Sequence, residues 1–285
     1  MNFNEKIKEE MDDLFREYSG EDSPGCVIGI IRKGEMVFKK GYGMANLEYN
    51  IPITSESTFC IASNSKQFTG MCIALLEEEG QLNVNDNIRK YIPEFPHYEN
   101  EVTISNLLYH TSGIFDYYIH FLENCIYNDN GIITEDEAFN FIISQENLSF
   151  KPGEKFSYSN SNYVLLSLII NRITRRSLGE YADERIFKVL GMNNTFFREV
   201  ASKIINNRAV GYCTSPLRNS ESKYFTIHTK SNDNYFINMP NMEITGDDGV
   251  WTTINDLYLW DQNFYDNKLG GGQGLIKRVL TKRAL

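Results

Sequence analysis

An α+β fold is what the sequence predicts, and three observations predict it. Residues 26–31 are apolar and β-rich, Arg32-Lys33-Gly34-Glu35 makes a turn, and residues 36–39 read as the returning strand of a hairpin. From Ile61 onward apolar residues recur at helical spacing, so the chain passes from strand to mostly helix. No internal repeat and no low-complexity linker interrupts the 285 residues, enough to bury roughly three quarters of the unfolded surface in one large domain or two intimate ones. The expected architecture is an antiparallel sheet flanked by helices with a helical subdomain: a sheet-side part over 1–60 and a mainly helical part over 61–260.

The first 18 residues place Ile7, Met11, Leu14 and Tyr18 on one face of an amphipathic surface helix. They lack the continuous apolar segment and small-residue cleavage site of a signal peptide, so the expected location is cytoplasmic. Two paired strands are not stable alone in water, so the hairpin is expected to belong to a larger sheet. Helices are predicted over 63–79, 104–109, 135–144, 162–173 and 178–190, with Gly80 and Gly191 as C-terminal stops. Lys151-Pro152-Gly153, Gly113 and Gly246 punctuate the connections. The apolar run 164–170 is broken by Ser167 and ends at Asn171-Arg172, which reads as a buried helix and falls short of a bilayer span. Residues 214–241 are polar and aromatic without a period; short strands and a long loop both fit.

Composition excludes several function classes. A formal net charge of -10 without clustered lysine and arginine argues against a nucleic-acid partner. The five cysteines, at 26, 60, 72, 125 and 213, suggest no disulfide framework and read as small buried hydrophobes in a reducing compartment. The histidines at 97, 110, 120 and 228 show no paired ligand spacing, so neither a metal nor another cofactor is expected. A small-molecule or peptide-like substrate remains.

Ser63-Asn64-Ser65-Lys66 supplies a nucleophile and a base three residues apart, on one face at the start of a helix. Bare, the pattern is weak: a chain this long holds roughly one SxxK match by chance. Ser220-Glu221-Ser222-Lys223 is a second, in a polar stretch without periodicity. Ser63 differs because Phe68, Met71, Cys72, Leu75 and Leu76 follow it at helical spacing; with nothing else in the chain, it reads as a helix cap and Lys66 as a surface charge. Tyr158-Ser159-Asn160 follows a Pro-Gly turn and precedes the buried helix, which holds a phenol and an amide at the edge of the core. The same triplet pattern at Tyr98 and Tyr265 lacks that setting.

Together these segments resemble the serine β-lactamase-like family of class C β-lactamases, penicillin-binding DD-peptidases and related esterases and amidases. Gly41-Tyr42-Gly43-Met44-Ala45-Asn46, Leu107-Leu108-Tyr109-His110-Thr111-Ser112-Gly113, Leu190-Gly191-Met192 and Gly246-Asp247-Asp248-Gly249 are similar to further landmarks, in the family's order, from about residue 26 to 260. The resemblance implies that Ser63 is acylated, that Lys66 and Tyr158 share the proton transfers, and that Asn160 hydrogen-bonds the substrate. The Ser63 backbone N–H, at a helix N-terminus, would donate to the oxyanion. His110 is assigned a structural role in its turn, and Asp247-Asp248 an acidic turn; the family usually has a small residue at the position of Asp248.

The family's third motif, KTG or HxG, does not occur: His228-Thr229-Lys230 lacks the glycine and its place in the order. The expectation is therefore a chain truncated at the C-terminus, with an incomplete sheet and without the second oxyanion donor. Two functional readings follow. One is a serine hydrolase forming an acyl-enzyme on an ester, amide or β-lactam; the other is a catalytically weak or inactive relative that binds a ligand or assembles with partners.

Overall fold

The computed structural model describes residues 3–123, 132–213, 235–238 and 242–281. Cys125, His228 and the second match at Ser220 and Lys223 lie outside them. In chain order the helices are α1 (Phe3–Leu14), α2 (Lys66–Glu78), α3 (Ile104–Leu108), α4 (Tyr117–Glu123), α5 (Glu135–Ile143), α6 (Ser161–Thr174), α7 (Leu178–Ala182), α8 (Lys188–Leu190), α9 (Ile254–Asn263) and α10 (Gly272–Leu280). The chain forms two compact units. The first comprises Met1–Phe59, Ile204–Pro240 and Thr252–Gln262, and the second Cys60–Lys203, Asn241–Trp251 and Asn263–Leu285.

In the first unit the hairpin strands β1 (Cys26–Arg32) and β2 (Glu35–Tyr42) pair antiparallel from Cys26 with Tyr42 to Arg32 with Glu35. The second strand runs three residues beyond the predicted 36–39 because its end is held by α1. Lys40 Nζ and Tyr42 Oη both donate to Asp12 Oδ1, at 2.6 and 2.8 Å, and Phe15 stacks on Tyr42. Alternation along the strand turns Lys39 to the opposite face, where its Nζ donates to Asn255 Oδ1 of α9. Gly29, which pairs with Lys39, lies against Ile254 so closely that a Cβ would sit 2.9 Å from its side chain. No third strand pairs with the hairpin among the described residues. Helices α1 and α9 each contact one face of the hairpin, whose residues are nearly all half-buried or exposed.

The second unit is built around α6. Val164, Leu165, Leu166, Ile169 and Ile170 are fully buried, and α2, α3, α5 and α7 pack around them. The apolar run thus forms the predicted buried helix. Helix α2 presents Phe68, Met71, Cys72, Leu75 and Leu76 to the core, as its spacing predicts. The predicted helix over 178–190 is real but contains one π-helical turn, Asp183–Phe187, between α7 and α8; Gly191 ends it in the left-handed conformation. Helices α4 and α10 were not anticipated: aromatic residues mask the period of the first, and the run Gly270-Gly271-Gly272 before the second reads as a breaker. Among the described residues no helix is long and apolar enough to cross a membrane.

Candidate active site

The turn Ala62–Ser65 is 3₁₀, and α2 begins only at Lys66, later than the predicted start at 63. In 3₁₀ geometry residues i and i+3 eclipse, which sets Lys66 Nζ 3.2 Å from Ser63 Oγ. Ser65, between them, turns inward and accepts the Val250 N–H at 3.0 Å, while Ile61 donates to the Val250 carbonyl at 3.0 Å. The strand Val250–Thr252 therefore anchors the turn from which Ser63 projects, exposed. Ala62, just ahead, has φ of 46°, a left-handed conformation that costs an L-residue on the order of 1–3 kcal/mol.

Lys66 is 7% exposed and makes three hydrogen bonds. Besides Ser63 it donates to Asn160 Oδ1 at 2.8 Å and to the Asp247 carbonyl at 2.7 Å. The Asn160 amide is oriented without ambiguity, because its Nδ2 donates to Asp116 Oδ2 at 3.0 Å and a carboxylate can only accept. Asn160 Oδ1 and the Asp247 carbonyl are likewise pure acceptors, so they claim two N–H groups of the lysine. The third position on the nitrogen faces Ser63 Oγ. It carries a lone pair in the free amine and a proton in the ammonium, so the same geometry accepts from the serine hydroxyl in the first form and donates to its oxygen in the second.

Tyr158 Oη donates to Ser63 Oγ at 2.9 Å. Its ring is stacked on His110, centroids 4.5 Å apart, with Lys66 Nζ 4.9 Å from the ring centroid. His110 Nδ1 accepts from the Ser159 N–H and from Asn162 Nδ2, each at 3.2 Å, which places the ring proton on Nε2. Burial, with the Lys66 charge adding to it, pushes His110 down to about 4, so the ring is neutral at physiological pH. His110 makes no contact with Ser63. It buttresses Tyr158 and ties its own turn to the Tyr158 segment, since its carbonyl accepts the Ser157 N–H.

The structure thus brings Ser63, Lys66, Tyr158 and Asn160 together, and adds three residues that sequence reasoning did not single out for the site. Asp116 binds Asn160; Tyr117 Oη donates to Asp247 Oδ2 at 2.7 Å; Asp247 supplies the lysine's acceptor through its backbone. Asp116 sits directly before α4, an N-cap pattern, but the sequence does not reveal that helix and so gives no signal for the residue. Nothing in a sequence reports a backbone carbonyl. Asp248 turns its carboxylate to Cys60 Sγ, and burial together with that neighbour pushes the thiol up to about 12, so Cys60 stays a protonated thiol at neutral pH.

Asp247 is 3% exposed and its Oδ1 has no hydrogen-bond partner. Burial pushes its carboxyl up to about 6, against the opposing effects of Lys66 and the Tyr117 hydroxyl. Folding therefore takes up a proton between roughly pH 4 and 6, and the stability associated with this group is lost as pH rises through that window. Asp247→Asn removes the titration. Relative to the parent protein, its unfolding free energy in denaturant should rise by up to about 3 kcal/mol from pH 4 to pH 7. His110 titrates in both proteins and cancels in that difference; a difference constant with pH contradicts the assignment.

The family model described as Beta-lactamase matches residues 11–283. "Protein flp" of Staphylococcus aureus (strain N315) is 35% identical over 196 residues, which cover 66% of this chain and 38% of that protein. "Penicillin-binding protein 4*" of Bacillus subtilis (strain 168) is 33% identical over 238 residues, 82% of this chain and 51% of that one. The octameric penicillin-binding protein homologue from Pyrococcus abyssi superposes with a TM-score of 0.79 at 28% identity, covering 98% of this chain and 60% of its own. The chain spans about half or less of the length of these two curated relatives.

Proposed function

Since the chain belongs to the beta-lactamase family, whose members are generally serine hydrolases, we propose that it is an acyl-serine hydrolase with Ser63 as nucleophile, acting on an ester, an amide or a β-lactam. The observation that carries this reading is the convergence of Lys66 Nζ and Tyr158 Oη on Ser63 Oγ, at 3.2 and 2.9 Å.

Burial divides the proton work. Lys66 lies 7% exposed behind the serine, where it can reach Ser63 Oγ but no leaving group, so it takes the serine proton as the oxygen attacks the carbonyl. Tyr158 is 46% exposed and gives its proton to the leaving group as the tetrahedral intermediate collapses to the acyl-enzyme. In the second half a water attacks the carbonyl carbon of the acyl-enzyme and gives its proton to the Tyr158 phenolate, and Ser63 leaves with the proton that Lys66 took from it, which restores both groups. Asn160 keeps a second amide hydrogen on Nδ2 with which to bind a substrate carbonyl. The Ser63 backbone N–H serves the oxyanion.

The test is intact-mass analysis after incubation with a fluorophosphonate. The expected result is one adduct per chain on the parent protein and none on Ser63→Ala. Folded parent protein that takes up no adduct, or Ser63→Ala that takes up as much, overturns the reading.

A further inference from the structure

The two pure acceptors that hold Lys66 are themselves held by two consecutive residues. Asp116 Oδ2 accepts both the Asn160 backbone N–H, at 2.7 Å, and Asn160 Nδ2, at 3.0 Å. Its other oxygen, Oδ1, accepts the Tyr118 and Ile119 N–H groups at 2.8 and 3.1 Å, so the carboxylate is pinned to the first turn of α4. Tyr117, fully buried, donates through Oη to Asp247 Oδ2 at 2.7 Å, and the Asp247 carbonyl receives Lys66. The backbone between them is fixed to α6 as well: the Tyr117 N–H donates to Ser161 Oγ at 2.9 Å, and Ser161 Oγ to the Phe115 carbonyl at 2.6 Å.

We propose that Asp116 and Tyr117 are a positioning pair for Lys66, Asp116 acting through the Asn160 amide and Tyr117 through Asp247. A carboxylate is required at 116 because both of its oxygens must accept. An amide there would turn a donor either on the α4 N–H groups or on Asn160, and a reversed Asn160 would point its own NH₂ at the lysine. Neither residue touches Ser63. Their effect reaches the nucleophile only through the direction in which Lys66 is held.

The proposal rests on the reading of Lys66 as the group that takes the Ser63 proton. It is tested by second-order rates of fluorophosphonate labelling at Ser63 for the parent protein, Asp116→Ala, Asn160→Ala, their double variant and Tyr117→Phe. All are measured well below each variant's melting temperature. Asp116→Ala should slow labelling about 100-fold, the scale of a misplacement on the order of 1 Å. The double variant should be no more than about 3-fold slower than Asn160→Ala alone, because residues that act through one another do not add. Tyr117→Phe, which loses one hydroxyl, should slow labelling about 10-fold. If Asp116→Ala does not fold, Asp116→Asn takes its place, since it keeps an acceptor for the α4 N–H groups. A purely structural Asp116 would give multiplying losses, and that result, or single variants within about 2-fold of the parent, overturns the positioning pair alone. A parent protein that is not labelled rejects the nucleophile and the positioning pair together.

Discussion

Lys66→Met should slow fluorophosphonate labelling of Ser63 by about 1000-fold, within the range of roughly 100- to 10,000-fold that a positioned acid or base contributes. Methionine fills a similar volume but can neither take a proton nor donate to the Asn160 and Asp247 oxygens, which the lysine holds at 2.8 and 2.7 Å. The serine hydroxyl keeps Tyr158 as a neighbour at 2.9 Å, so labelling falls without vanishing. A rate within about 3-fold of the parent would mean that Lys66 only fills space, whatever its distance from Ser63.

Gly246→Ala should destabilise the protein by about 2–6 kcal/mol in denaturant unfolding, combining backbone strain with overpacking. Its φ of 107° is open to glycine almost alone, and an added Cβ would meet the Tyr163 carbonyl at 2.3 Å. That carbonyl belongs to α6, the most buried helix of its unit, which has no room to yield. The Gly246 carbonyl also accepts Thr69 Oγ1 at 2.8 Å from α2, and the next carbonyl along is the acceptor of Lys66. The same glycine thus sets both packing and site geometry, and the variant should lose labelling along with stability. A cost under about 1 kcal/mol would show that the segment adapts, and that Lys66 is not rigidly held from this side.

These two variants also mark where sequence reading succeeds and where it stops. Ser63 with Lys66, and Tyr158 with Asn160, are legible as candidates that the fold brings together, because each pair is local and each lies at the edge of a strongly periodic helix. The fold class and the family follow from the same ordered segments. The links between the pairs are not legible. Asp247 reads as an acidic turn because its service to Lys66 comes from a backbone carbonyl, 181 residues away in the chain. Asp116 serves through Asn160, 44 residues on, and the aromatic run that follows it hides the period of α4. The late start of α2 escapes for a different reason: a serine and a lysine three apart fit a single turn of either 3₁₀ or α geometry, and only the backbone distinguishes them. The hairpin is legible as a hairpin, but its contacts with α1 and α9 include Asp12 and Asn255, polar residues that a search for apolar partners passes over.

The most direct measurement of the central claim is the position of the acyl group formed by a turnover substrate. The protein is mixed with an activated ester or a β-lactam, quenched in acid within the first turnover, digested, and the peptide containing residues 61–66 is sequenced by tandem mass spectrometry. The account predicts one acyl group, on Ser63. An acyl group on another residue, Ser65 included, or no acyl group on a folded protein that turns the substrate over, would contradict it.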